Sequence, residues 1–282
     1  MAGLLDLNAV IAAASELEPL PASATRLAAL AARDDSPLVE IADTVSYDPP
    51  LAGRVLRVAN SAAFATAAPV GTVRSAIQRL GVGRLVAMAI GPTVCKRFAT
   101  TTASAGIDEG VLWRHAVATS LAAEAMSRYC TARLPAEAIT ASLLHDVGKL
   151  VLLRFVHGAE REYLKRAWQE GGRRRFDVER EILGCDHAEL GGLVARHWGL
   201  PETIRVPIAH HHDPDLHADP AIDSVFVANA AAHAAERLED QTGDALQAHA
   251  SARDRLGMRP ESFSALCQSV NAGLDDVLKR YA

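Results

Sequence analysis

The sequence predicts an all-α protein, on three observations. Aromatic residues make up only 5% of the 282-residue chain, while alanine is abundant. A composition rich in Ala, Leu, Glu and Arg favours helices over a β-sandwich, which draws on aromatic and β-branched residues. Helix punctuation recurs along the chain, with Ser, Thr or Asp ahead of an apolar-periodic run and Gly just past its end. No segment shows the strict apolar–polar alternation of a half-buried strand.

The elements follow in order. Ser36 before Pro37 reads as a cap with a first-turn proline, and Asp48 before Pro49 and Pro50 repeats the pattern. From Leu51, the positions Leu51, Val55, Leu56, Val58 and Ala59 mark one helix face, ending near Asn60 and Ser61. Thr72 caps a helix through Leu80, closed by Gly81, and a further helix spans Gly83 to about Phe98. The small, polar stretch Thr100 to Gly110 reads as a connection and gives the best internal boundary. The division is 1–105 for an N-terminal helical subdomain and 106–282 for a second helical subdomain. Val111 to Tyr129 and Leu134 to Phe155 each read as one long helix. Asp186 with Glu189 three residues on forms a capping-box pattern. That helix ends at Gly199, and Pro201 starts the next, which Pro207 should kink. Ser224–Leu238 and Pro260–Tyr281 read as the final helices. In the last, Phe263, Leu266, Val270, Leu274 and Val277 fall on one face.

Composition narrows the function classes. Lys plus Arg is 29 and Asp plus Glu is 34, a net charge of −5, so the chain has no general attraction for phosphate backbones. The densest basic run, Arg173-Arg174-Arg175 after Gly171 and Gly172, reads as a solvated loop or helix start. The four cysteines, Cys95, Cys130, Cys185 and Cys267, form no CxxC pair, which fits a reducing cytoplasm. Met1 to Val10 lacks the basic-then-apolar order of a secretory signal. No apolar run approaches the ~20 residues that span a bilayer; the longest, near Leu80 to Val94, is cut by Gly81, Gly83, Arg84 and Gly91. Membrane insertion is not expected.

Of the 11 histidines, His115, His145, His187, His210, His211 and His212 stand out. His145 precedes Asp146 within Leu143-Leu144-His145-Asp146-Val147-Gly148-Lys149. Burying a carboxylate among those leucines and valines costs several kcal/mol unless it is paired or metal-bound. Neutral imidazoles with a carboxylate suit zinc, iron, manganese or nickel. Lys149 follows Asp146 by three residues, close enough on a helix to pair with it or to contact a bound anion. Each feature also has a structural reading: His115 as a hydrogen-bonded core residue, His145-Asp146 as an internal pair, His210-His211-His212 as a solvated helix end. Their joint occurrence on separate helices favours a shared pocket.

The ordered motifs resemble the HDOD family, a branch of the HD superfamily of helical phosphohydrolases. The resemblance rests on Leu20-Pro21, Asp48-Pro49, Arg54 through Ser61, Ala76-Ile77-Gln78-Arg79-Leu80-Gly81, Trp113-Arg114-His115, Leu144 through Lys149, Asp186 through Gly191, and His211-His212-Asp213-Pro214. It covers about 19–214, with helices over 215–282 completing the fold. It implies an N-terminal helical bundle packed on an HD-like helical bundle, and a role in bacterial signal output with a protein partner. In the catalytic HD-GYP relatives, metal ligands match His115, His145, Asp146, His187, His211 and His212, and the motif lysine matches Lys149. Two departures matter. The Gly-Tyr-Pro segment of those relatives is absent after Asp213-Pro214-Asp215. The position of a later aspartate ligand matches Asn229, whose amide binds divalent metal more weakly than a carboxylate. Both argue against cyclic-dinucleotide hydrolysis.

The sequence therefore supports a regulatory module with a histidine-rich, metal-binding pocket, with a protein or a nucleotide as the expected partner. The alternative is a metal-dependent phosphohydrolase acting on a nucleotide, with Lys149 as its candidate catalytic residue. A third reading, a DNA-binding helix pair over Thr72 to Val94, is disfavoured because its second helix is largely apolar.

Overall fold

The computed structural model describes residues 7–33, 35–61, 63–64, 69–105, 110–170, 175–236 and 250–281, and no strand occurs among them. The helices in chain order are α1 (Leu7–Ala14), α2 (Ala22–Ala31), α3 (Leu38–Ser46), α4 (Pro49–Ala59), α5 (Val73–Leu80), α6 (Val82–Ala105) and α7 (Val111–Ala125). There follow α8 (Glu137–Leu144), α9 (Lys149–Phe155), α10 (Gly158–Glu170), α11 (Arg175–Leu183), α12 (His187–His197) and α13 (Glu202–Ala209). The last are α14 (Pro214–His217), α15 (Pro220–Ala235), α16 (Ala250–Arg255) and α17 (Pro260–Tyr281).

Several ends follow the local chemistry read from the sequence. The Asp48 carboxylate accepts the Leu51 amide with prolines at the first helical positions, and the Thr72 hydroxyl accepts the Ser75 amide. Gly81 closes α5 at φ 80, a conformation that disfavours any residue with a Cβ. The Asp186–Glu189 capping box is complete on both sides. Other ends differ. Ser36 is not a cap: its hydroxyl donates to the Leu30 carbonyl at 2.6 Å, and α3 starts after Pro37 instead. The expected connection from Thr100 is helical through Ala105, with the Thr100 hydroxyl satisfied by the Lys96 carbonyl one turn back. Residues 106–109 lie outside the described residues, as do Gly171, Gly172, Arg173, Arg174 and Leu238. The helix expected from Ser224 begins earlier, at Pro220, because Asp219 caps it through the Ala221 and Ile222 amides.

Packing organises these helices around α6 and α7. Helices α2, α4 and α5 lie against α6, which also touches α7, α8 and α9. Helix α7 is wrapped by α8, α15 and α17. Leu85, Val86, Ala87, Met88, Ala89 and Ile90 of α6 are all buried, so this stretch offers no face to a DNA groove. The predicted stripe of α17 is buried at Phe263, Leu266, Val270 and Leu274. One continuous apolar core runs from Val10 to Leu274. Among the described residues, no helix is long and apolar enough to cross a membrane.

Candidate functional site

The single helix expected over Leu134–Phe155 is broken at its centre. Helix α8 stops at Leu144, residues 145–148 form a turn, and α9 begins at Lys149. The turn is possible because Gly148 lacks a side chain: a Cβ there would run into the His187 carbonyl oxygen and the Gly191 amide. That close approach presses the His145-Asp146 turn onto the start of α12, where His187 stands. His115 comes from α7, and His211 and His212 from the turn after α13.

These residues converge. Ring centroids are 5.2 Å apart for His115 and His145, 5.0 Å for His145 and His211, and 5.4 Å for His187 and His211. His187 and His212 are 4.8 Å apart, and His211 and His212 are 4.0 Å apart. His210 does not join them; its ring packs against His217 at 4.1 Å. All six positions that the family resemblance matches to metal ligands thus lie together, with Asp146 Oδ1 3.1 Å from His187 Nε2, and Asn229 of α15 adjoins them. Its Oδ1 lies 2.9 Å from His115 Nε2.

Hydrogen bonds orient the rings. His145 Nδ1 lies 2.8 Å from the Ser142 carbonyl and His211 Nδ1 lies 2.7 Å from the Ile208 carbonyl. A proton on Nδ1 leaves the lone pair on Nε2, and in both residues Nε2 is buried with no hydrogen-bond partner. A buried acceptor without a partner is costly unless something supplies one. Burial pushes His145 down to about 3 and holds His211 and His212 well below the usual imidazole range, so all three stay neutral.

The remaining charges are paired. Lys149 Nζ donates to Asp146 Oδ2 at 2.7 Å, as the spacing predicts. His187 Nε2 lies 3.1 Å from Asp146 Oδ1, while its Nδ1 lies 2.6 Å from Glu179 Oε2. Burial opposes the charged form of both residues. For Asp146 it is outweighed by His145, Lys149 and His187, which hold the carboxyl well below its usual range. For His187 it is outweighed by Glu179 and the bond to Asp146, which raise it to about 9.

Two groups of potential ligand atoms have the compactness that a metal ion needs. His115, His145 and Asp146 form one, and His187, His211 and His212 the other; within each, the ligand atoms lie within 4.8 Å of one another. A third group, His115, His233 and Glu236, shares His115, whose Nδ1 is 2.8 Å from Glu236 Oε2. Sequence reasoning missed His233, Glu236 and Glu179. The first two were legible, since Asn229, His233 and Glu236 are spaced four and three apart on one helix face. Glu179 carried no local signal: it reaches His187 from α11 across a chain reversal.

The HDOD domain profile matches residues 17–214. The chain belongs to the HDOD family. The match begins slightly earlier than the motifs suggested. Among solved HDOD-like structures, a Geobacter sulfurreducens HDOD protein of unknown function is 22% identical and aligns over 96% of this chain and 99% of its own, with a TM-score of 0.67. A supposed phosphohydrolase of Shewanella amazonensis is 23% identical over 97% of this chain and 98% of its own, with a TM-score of 0.66. A supposed signal-transduction protein of Marinobacter aquaeolei is 22% identical over 95% of this chain and 59% of its own, with a TM-score of 0.67. At these identities the likeness establishes the HDOD fold alone. No curated protein matches the sequence.

Proposed function

We propose that this HDOD protein is a cytoplasmic output module of bacterial signal transduction whose histidine pocket holds one or two divalent transition metals and which has little or no phosphodiesterase activity. The observation that carries the reading is the pair of buried, unpartnered Nε2 atoms on His145 and His211, each preset by a backbone carbonyl on its Nδ1. This is the donor chemistry of a ligand shell, and iron, manganese, zinc and nickel all accept it. His115, Asp146, His187 and His212 would complete the shell. A bound metal could activate a water and polarise a phosphoryl oxygen. The protein's own contribution is to exclude water, to orient the imidazoles through Ser142, Ile208 and Glu179, and to hold Asp146 ionised beside Lys149.

Asn229 weighs against strong catalysis. Its amide faces His115 Nε2 directly, where the HD-GYP relatives supply a carboxylate, so the pocket lacks one negative charge. A protein partner remains the expected recipient of the signal. The second reading, a metal-dependent phosphohydrolase acting on a nucleotide, is favoured by the position of Lys149 at 2.7 Å from Asp146, where it could meet a phosphate.

The deciding experiment incubates anaerobically purified, metal-analysed protein with cyclic di-GMP and with a generic phosphodiester. Bound metal without turnover is the expected result. Robust turnover that His145→Ala abolishes would replace the regulatory reading with the enzymatic one.

A further inference from the structure

A cleft separate from the histidine pocket opens where α4, α6, α7, α8 and α17 meet. It encloses about 680 Å³, part of it open to solvent. Its walls are mainly apolar, formed by residues such as Val58, Met88, Leu121, Ile139 and Val277. Three charged side chains line it: Arg54, Arg84 and Glu124. Arg84 is neutralised, since its Nε donates to Glu124 Oε2 at 2.7 Å and the same pair forms a salt bridge. Its guanidinium also lies 4.4 Å from the centroid of the Phe64 ring.

Arg54 differs. Its Nε is buried and has no hydrogen-bond partner, and it has no ion pair among the described residues. A buried N–H without an acceptor is unfavourable even when the rest of its guanidinium reaches water. The lining therefore carries one half-buried guanidinium that has no carboxylate partner among the described residues, beside a mainly apolar surface.

We propose that this cleft binds a small amphipathic monoanion, an apolar chain or ring with a single carboxylate, whose head group accepts from Arg54. The apolar body replaces water along Val58, Met88 and Leu121, and the carboxylate supplies the acceptor that Arg54 Nε lacks together with a counter-charge for its guanidinium. The cleft shares its walls with the helices that carry the histidine centre. Val117 lines it two residues after His115, and Leu143 lines it two residues before His145. The proposal stands whether or not the histidine pocket holds metal.

The test is isothermal titration of the full chain with decanoate below its micelle concentration, beside 1-decanol and decyltrimethylammonium. Saturable one-to-one binding of decanoate is expected, at least tenfold tighter than that of the uncharged alcohol, with none of the ammonium compound. Arg54→Met should reduce decanoate affinity at least tenfold, to that of the alcohol, with an unchanged melting temperature. The alcohol comparison makes the same measurement on the parent if the variant folds poorly. Absence of decanoate binding, equal affinity for decanoate and decanol, or full affinity in Arg54→Met would each overturn the proposal.

Discussion

Asn229 Oδ1 stands 2.9 Å from His115 Nε2, joining the helix after the paired histidines to the helix that opens the pocket. The contact engages the one nitrogen that His115 could turn toward His145 and Asp146, because its Nδ1 is held by Glu236. An amide at this position keeps the imidazole occupied without adding charge.

Replacing Asn229 with aspartate should therefore tighten metal binding while hardly changing packing. A tenfold gain in affinity corresponds to about 1.4 kcal/mol of added stability under saturating metal. Thermal melts of parent and Asn229→Asp, with and without manganese or iron, check this. The variant should gain more on metal addition than the parent. An equal gain across metals would mean that the position lies outside the coordination sphere.

Asp146→Ala should abolish metal retention. Asp146 contacts Lys149, His187 and His145, so its loss removes the one carboxylate that faces all three. Elemental analysis of both proteins, purified without chelators and without oxygen, should find near-stoichiometric metal in the parent alone. Equal, sub-stoichiometric metal in both would remove the metal reading.

Gly148→Ala should destabilise the protein by about 3 kcal/mol, in the range of severe overpacking. The added methyl collides with backbone rather than with a flexible side chain, so the turn carrying His145 and Asp146 must shift. Chemical denaturation gives the stability change. A loss below about 0.5 kcal/mol would show that α12 can move away from the turn at little cost.

A chain ending near Pro214 should aggregate or melt far below the full protein. It loses α15 and α17, which bury Ile222, Val225, Val227, Leu266, Val270 and Leu274 against α7 and each other. Each such side chain contributes about 1.5–3 kcal/mol on burial, and their removal also exposes the face of α7. An unchanged melting temperature would show the remaining helices to be self-sufficient.

The helices were legible wherever capping chemistry is local. Asp48, Thr72 and Asp186 each announce a helix start that the structure reproduces, because a cap needs only the next three residues. Legibility failed where a tertiary contact decides. Ser36 has the side chain of a cap, yet its hydroxyl is drawn to the Leu30 carbonyl. The break after Leu144 was not legible from the helical spacing on either side of it, because it accompanies the approach of His187 to Gly148 from 39 positions along the chain.

The sequence by itself determined the helical class and the HDOD membership, and it singled out six residues that the fold brings together, because composition, periodicity and ordered motifs are properties of the chain. Only the tertiary structure decided which nitrogen each imidazole presents. It also decided that Glu179 stands behind His187, and that His210 turns to His217 instead of joining its neighbours. These outcomes depend on which groups the folded chain brings beside each ring, from one turn back for His145 and His211 to a separate helix for His115, and a ring nitrogen becomes a donor or an acceptor only when the fold has chosen its partner.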